Sequence, residues 1–506
     1  MNRLLTTDNG RPTKGPLTSV SKIPFYRPSI GPEEIDEVVQ TLKSGWLTTG
    51  PRTKQFEKEF ADYVHQKHAV AVNSCTAALH LALEAIGLKA GQGVIVPTMT
   101  FAATAEVVRY LGGRPILADC RVEDFNLDVA DAERKIQSAL ASGQPIAAIM
   151  PVHYGGQIGD VAGVQALARR YGLKIIEDAA HCCPAFYRES REHKTEDRGQ
   201  RAEGESGRQK AESRNETTGQ KDDTGRVEQG VRRSVLGEAG SRGATPHPTL
   251  SPDGAERAGE GDTSPYSLAG RGGEGAWKPV GANADISCYS FYANKTITTG
   301  EGGMACTNND EYADRMRIMS LHGISKDAWK RFTAEGSWYY EIIAPGYKYN
   351  LTDIASAIGI HQLRKADHFH QRRTETVEAY NRVLKEVEEL TLPQTMPDRI
   401  HSWHLYVLRL KLDRLKIDRG QFITGLQQRG IGASVHWLPL HMHPYYRETY
   451  GYAPQDLPTA CSLYPEIITL PLYPDMSEGE VAYVCDSIKE IIAANLKGRR
   501  PVIGHQ

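Results

Sequence analysis

Ser290-Phe-Tyr-Ala-Asn-Lys295-Thr-Ile-Thr-Thr-Gly-Glu-Gly-Gly303 places a lysine just beyond an apolar strand and ahead of a glycine-rich turn, where it can be held rigidly over a pocket. Upstream, Lys174-Ile-Ile-Glu-Asp178-Ala-Ala-His181 is a second buried-strand pattern, and it ends in a carboxylate. Outward from these two, short apolar runs alternate with helical periodicity. Residues 69–72, 94–97, 146–152 and 175–177 read as strands. Residues 33–44, with Ile35, Val38, Val39 and Leu42 on one face, read as a helix closed by Gly45; 76–86, 101–111 and 161–171 read as further helices. Such alternation implies βαβ units and a mostly parallel sheet covered on both faces. Ligands of such sheets bind beyond the carboxyl ends of the strands, and Asp178 and the residues after Val72 fall there.

From about Gln371 the pattern changes to a long helix (372–388), an alternating strand (403–410), a helix (421–429), a short strand (433–436) and a last helix (478–493). The expected organisation is a tail (1–22), a large α/β domain (23–370), a smaller C-terminal α+β domain (371–495) and a second tail (496–506). Residues 189–276 interrupt the large domain. These 88 residues contain no Ile, Phe, Met, Trp or Cys, and Tyr266 is their one aromatic. They cannot bury enough apolar surface to offset their ordering entropy, which predicts a disordered insertion in a surface loop. Each doubling of a loop adds only about 0.6 kcal/mol of closure cost. A docking or regulatory arm is the functional alternative.

Composition excludes several classes. The 506 residues carry a net charge of −2, which argues against a nucleic-acid-binding protein. Eight cysteines are scattered without a C-x-x-C pair. That pattern predicts reduced thiols in a cytoplasmic enzyme, with no disulfide framework and no metal site. Residues 1–22 are polar and lack the apolar core of a signal peptide. No run approaches the ~18 apolar residues of a membrane span.

The chemistry is read from strand ends. Lys295 alone is a solvated lysine, but Ser290 precedes it with a hydroxyl for a phosphate, and Gly300, Gly302 and Gly303 permit close backbone approach. Asp178 ends an apolar strand, where a carboxylate is costly without a cation; the alternative is a helix N-cap. A lysine that condenses with an aldehyde and an aspartate that holds a pyridinium proton are what pyridoxal phosphate (PLP) requires. His181 suits a hydrogen bond to the phenolic oxygen, or is a satisfied core histidine. Asn73-Ser74-Cys75-Thr76 joins a strand to a helix, an N-terminus suited to a phosphate although such caps are common. Phe101 stacks on the pyridine ring or belongs to the core.

Together, the phosphate turn, Phe101, Asp178-x-x-His181, Ser290-x-x-x-x-Lys295 and Gly346-Tyr-Lys-Tyr-Asn350-Leu-Thr-Asp353 resemble the DegT/DnrJ/EryC1/StrS family of sugar aminotransferases. The resemblance runs from about Ile23 to Ile492 outside the insertion. Ser44-Gly-Trp46-Leu-Thr48-Thr49-Gly-Pro51, Pro151-Val-His153-Tyr154 and His401-Ser-Trp-His404 are similar to the UDP-4-amino-4-deoxy-L-arabinose type of 4-aminotransferase. The resemblance implies PLP fold type I, Lys295 as Schiff-base lysine and Asp178 as ring-nitrogen partner. It implies Ser74, Cys75, Thr76, Phe101, His181 and Ser290 as cofactor-binding residues. Asn350 is implied to reach the cofactor phosphate of a neighbouring subunit, which makes the active unit a homodimer with shared sites. Trp46, Thr48, Thr49, His322 and His436 are the substrate candidates. The implied activity moves an amino group from L-glutamate, which leaves as 2-oxoglutarate, to a nucleotide-linked keto-sugar at C4, for surface polysaccharide or lipid A modification. Some family members are dehydratases with histidine in place of the lysine; Lys295 favours transamination. A PLP-type sugar dehydratase and a silent regulatory or binding homologue stay as alternatives. The family joins the Asp-x-x-His and Ser-x-x-x-x-Lys motifs by a short link, so residues 189–276 depart from its pattern.

Overall fold

A computed structural model describes residues 22–188, 276–325 and 339–497. The segment read as an insertion lies outside the described residues except for Ala276, as do both tails except for their innermost residues. The large sheet contains seven strands: β1 (His68–Val72), β2 (Gly93–Pro97), β3 (Arg114–Ala118), β4 (Ile146–Ile149), β5 (Lys174–Asp178), and, beyond the short pair β6 (Phe186–Tyr187) and β7 (Lys278–Pro279), β8 (Ile286–Ser290) and β9 (Gly303–Thr307). Their spatial order is β1-β9-β8-β5-β4-β2-β3. Five adjacent strands, β8-β5-β4-β2-β3, pair in parallel, and only β9 runs against its neighbours β1 and β8. The expected mostly parallel α/β sheet is therefore present. β2 is buried at all five positions and β9 likewise, as strands covered on both faces require.

One consequence sets up the site. β1, β2, β5 and β8 point the same way, so the residues that follow them emerge at one edge of the sheet. The antiparallel β9 begins at that same edge with Gly303. A Cβ on Gly303 would lie 2.5 Å from backbone atoms of Ser74 and Cys75. Glycine is required here because the turn after β1 is pressed directly onto β9.

Helices cover both faces. Helix Cys75–Ala85 is buried from Ala77 to Leu83 and packs with Ala105, Val107 and Val108 of helix Ala103–Tyr110 in one core. Helices Val129–Ala141 and Val161–Tyr171 close the other face through Ile136, Val164 and Leu167. A separate core joins helices Ala366–Leu384 and Glu478–Ala494 to a three-stranded sheet of β10 (Leu390–Thr391), β12 (Tyr406–Leu410) and β13 (Ile467–Leu470). β11 (Arg399–Ile400) leaves that sheet and pairs with β6. Ile23 inserts into this second core and pairs with Ile431, so the start of the described chain is stitched to its C-terminal part.

Three readings need correction. Residues 433–436 form no strand; Ser434 makes a single bridge to Thr469, and the chain then turns through a cis His436–Trp437 bond. The strand expected over 146–152 ends at Ile149, because the following residues leave the ladder to build the site loop. The helix starting at residue 33 forms, but its face of Ile35, Val39 and Leu42 is exposed, and Glu34 and Thr41 are the buried side chains. Glu34 is held there by Lys365 and Gln362. Periodicity identified the helix but not which face the rest of this chain covers.

Candidate active site

The turns after β1, β2, β5 and β8 enclose a cavity of about 330 Å3 at the sheet edge. Ser74, Cys75, Thr76, Phe101, Asp178, His181, Ser290, Lys295 and His436 all line it. The sequence candidates scattered over more than 300 positions therefore meet in one place. Trp46, Thr48, Thr49, His322 and Asn350 do not line it. Four of these five cluster elsewhere: Asn350 donates to Thr49 Oγ1 at 2.7 Å, and the indole of Trp46 donates to Thr49 O at 3.1 Å. Thr48 O accepts from the Asp353 N–H at 3.1 Å. His322 sits apart in a left-handed conformation, its N–H bonded to Tyr347 O at 2.7 Å.

At one end of the cavity stands the N-terminus of the 11-residue helix Cys75–Ala85. Ser74 caps it by accepting from the Ala77 N–H at 3.1 Å. The first N–H groups of a helix have no intrahelical partner, and the helix dipole favours an anion beside them. Thr76 and Ser290 add hydroxyls to that end.

Asp178 closes β5 and is only 6% exposed. Thr104 Oγ1 donates to one carboxylate oxygen at 2.8 Å and the Ala180 N–H to the other at 3.1 Å. Burial pushes its pKa above the ordinary value, while these two donors and the Lys295 charge pull the other way. Lys295 is lowered to about 8, first by burial, against the attraction of Cys75 and Asp178. An amine near 8 is partly neutral at ordinary working pH, so it can act as nucleophile and as base.

His181 is fixed by its surroundings. The Gly155 N–H donates to its Nδ1 at 3.1 Å, so the neutral ring carries its proton on Nε2. Burial and the Lys295 charge keep it neutral. Its ring lies against Trp437, 5.2 Å away at 19°, and against His404, 4.4 Å away. Phe101 is 61% exposed yet lines the cavity, an aromatic face presented to an open space.

Three further cavity residues carry no signal of their own in the sequence. Thr104 is the second residue of helix Ala103–Tyr110, and a threonine there carries no signal by itself. Trp437 and His404 come from the C-terminal part of the chain. His404 stood in a motif noted for resemblance, but nothing in its spacing pointed to Lys295.

The residues fit pyridoxal phosphate on the structure's own terms. A buried carboxylate with only neutral donors lacks the cation that a protonated pyridine supplies. A helix N-terminus with clustered hydroxyls offers the phosphate site. A lysine with depressed pKa shares their cavity. Among the described residues no group of three or more His, Cys, Asp or Glu is arranged to hold a metal ion, and no helix is long and apolar enough to cross a membrane.

Comparison with known proteins agrees with this geometry. The model of the DegT/DnrJ/EryC1/StrS aminotransferase family matches residues 28–204 and 266–489. MJ1066, an uncharacterized protein of Methanocaldococcus jannaschii, is 38% identical over 475 residues, covering 94% of this chain and 99% of the relative. The spore coat polysaccharide biosynthesis protein SpsC of Bacillus subtilis is 35% identical over 471 residues, covering 93% and 97%. Spr1654 of Streptococcus pneumoniae, solved in its PLP form under the name of a sugar aminotransferase, superposes with a TM-score of 0.69 at 26% identity. That superposition covers 94% of this chain and 99% of the other.

Proposed function

The chain belongs to the DegT/DnrJ/EryC1/StrS aminotransferase family, and from that premise we propose that it transfers the amino group of L-glutamate to C4 of a nucleotide-linked keto-sugar destined for surface polysaccharide or lipid A. It is a PLP-dependent sugar aminotransferase. Bound PLP supplies the aldehyde that receives the amino group and the protonated ring that draws electrons from the reacting carbon. Asp178 holds the ring proton, with Thr104 and the Ala180 N–H fixing the carboxylate in position. With the cofactor bound, Lys295 Nζ would hold its aldehyde carbon and, once free, would take up and return the proton at Nζ. His181 donates its Nε2 proton toward the phenolic oxygen. Ser74, Cys75, Thr76 and Ser290 bind the phosphate, and Phe101 covers one ring face.

The observation that carries this reading is the presence of Lys295, Asp178 and the Ser74–Thr76 turn in one cavity. The polysaccharide setting is supported by the printed name of SpsC. The substrate side includes a second copy of the chain. Asn350 lies outside its own subunit's cavity, and Ile35, Val39, Leu42, Trp46 and Leu47 expose apolar surface on the neighbouring segment. A homodimer that covers this face and delivers Asn350 to the partner's phosphate accounts for both, with Trp46, Thr48, Thr49 and His322 facing the sugar nucleotide across the interface. Incubation with L-glutamate and a panel of UDP- and dTDP-linked keto-sugars tests the proposal. An amino sugar by mass spectrometry with matching 2-oxoglutarate release supports it. Loss of water from the sugar without 2-oxoglutarate would identify a dehydratase instead.

A further inference from the structure

The four residues His401-Ser-Trp-His404 form a loop that is held from every side. His370 Nε2 donates to His401 O at 3.0 Å, and Arg373 donates to Trp403 O at 3.2 Å and to Leu472 O at 2.8 Å. The Ser402 and Leu405 N–H groups donate to Gly156 O at 2.9 Å and Gly155 O at 3.0 Å, and Ser402 Oγ donates to His181 O at 2.6 Å. His401 stacks on Trp403, their ring centres 3.9 Å apart, and its Nδ1 accepts from the Trp403 N–H at 2.8 Å. Trp403 nevertheless adopts a φ of 52°, a left-handed conformation costly for so bulky a residue. So many supports around a strained backbone point to a side chain that must be placed accurately. The side chain the loop delivers to the cavity is His404, whose Nε2 lies 3.5 Å from Lys295 Nζ.

His404 differs from the other cavity histidines. His181 Nδ1 is bonded to the Gly155 N–H, and His436 Nδ1 to Thr469 Oγ1 at 2.8 Å. His404 Nδ1 is buried and has no hydrogen-bond partner among the described residues. A ring nitrogen's partner normally fixes which nitrogen carries the proton; for His404 nothing does. Its Nε2 can accept from an ammonium in one tautomer and donate to a neutral amine in the other.

We propose that His404 is the two-way hydrogen-bond partner of Lys295, positioning the free amine in both of its protonation states while the lysine is detached from the cofactor. This deepens the aminotransferase reading and rests on Lys295 being the cofactor lysine. The spacing of 3.5 Å leaves slack for the amine to swing between the cofactor and the imidazole. The other titratable groups around Lys295 and His404 are Cys75, Asp178, Cys182, His181, His436 and Arg373, with Tyr292 and Glu301 also lining the cavity. None of them bonds Nζ among the described residues. Burial and the nearby Lys295 charge keep His404 neutral, as a two-way partner must be.

The test uses the full chain stripped of cofactor. PLP is added across a pH series, the adduct is fixed with borohydride, and modified Lys295 is counted by peptide mass spectrometry. His404→Leu removes both hydrogen-bonding roles; His404→Gln keeps a polar group near Nε2 that donates or accepts. An ammonium loses more from a missing acceptor than an amine from a missing donor. His404→Leu is therefore expected to lower the apparent pKa of Lys295 by about one unit, roughly a tenfold change in the ammonium-to-amine ratio, with His404→Gln close to wild type. If the Leu variant does not fold, His404→Asn, whose amide stops near the Nδ1 position, takes its place with the same expected shift. Circular dichroism and retained pyridoxamine phosphate binding establish that each variant is intact. Identical titrations in wild type, Leu or Asn, and Gln overturn the proposal. A wild-type adduct that forms elsewhere than Lys295 would instead overturn the underlying assignment of the lysine.

Discussion

Lys295 and Asp178 carry the account at the scale of single residues, and burial shifts the proton affinity of both. The lysine is lowered to about 8 because charging it in the cavity is costly. Its free-base fraction therefore rises with pH through about 8 and levels off above. Capture of PLP by the cofactor-free protein should follow that curve, measured by stopped-flow absorbance; a rate still rising steeply to the ordinary lysine range would contradict it. Asp178→Asn should keep the fold yet lose several orders of magnitude in turnover, because a neutral amide cannot hold the ring proton. A loss of tenfold or less would make Asp178 a structural cap. Thr104→Val removes one of the two donors to that carboxylate. The Asp178 pKa should rise further, so the acid limb of the activity profile moves to higher pH, with kcat down roughly tenfold, as for a lost hydrogen bond to a charged group. An unmoved acid limb would show that Thr104 does not tune Asp178. Both central residues were legible in the sequence because a charged group at the end of an apolar strand is chemically conspicuous. Thr104 and His404 were not, because only the folded chain brings a threonine at a helix start to Asp178 and a distant loop to Lys295.

Among the elements, the hairpin of β6 and β7 decides how residues 189–276 should be regarded. Phe186 pairs with Pro279 and Tyr187 with Lys278, and the guanidinium of Arg188 lies 4.2 Å above the Trp277 ring. The chain leaves and returns at adjacent positions. The hairpin is held independently on its other side, where β6 pairs with β11 and the Arg188 N–H donates to Asp398 O at 2.9 Å. Deleting residues 189–276 and rejoining Arg188 to Trp277 through a short turn should therefore give an active enzyme of equal or higher thermal stability. Loss of cofactor binding on deletion would show that the segment is a working part of the enzyme. Gly303→Ala should do the opposite. A Cβ there meets the Ser74–Cys75 backbone at 2.5 Å, and overpacking of this kind costs about 1–3 kcal/mol. Calorimetry should show a lowered Tm together with weaker pyridoxamine phosphate binding; an unchanged affinity would separate the turn from the phosphate site. The strands and helices of the large sheet were readable from periodicity. The exposed apolar face of helix Pro32–Ser44 was not, because periodicity marks a face without saying what covers it.

For the whole molecule, the proposed dimer with shared sites predicts a particular arithmetic in mixed assemblies. Lys295→Ala and Asn350→Ala are each expected to be inactive or nearly so. In a hybrid dimer one site carries both lesions and the other carries neither, so activity should reappear on mixing. No recovery, with subunit exchange shown independently, would mean that each site is built from one chain. The most direct test of the account follows the transferred atom itself. The enzyme is given nitrogen-labelled L-glutamate with each member of the keto-sugar panel, and the products are weighed. The account predicts labelled nitrogen on a nucleotide-linked sugar in wild type and none with Lys295→Ala. Labelled glutamate left intact across the whole panel, or label reaching the sugar without Lys295, would contradict it.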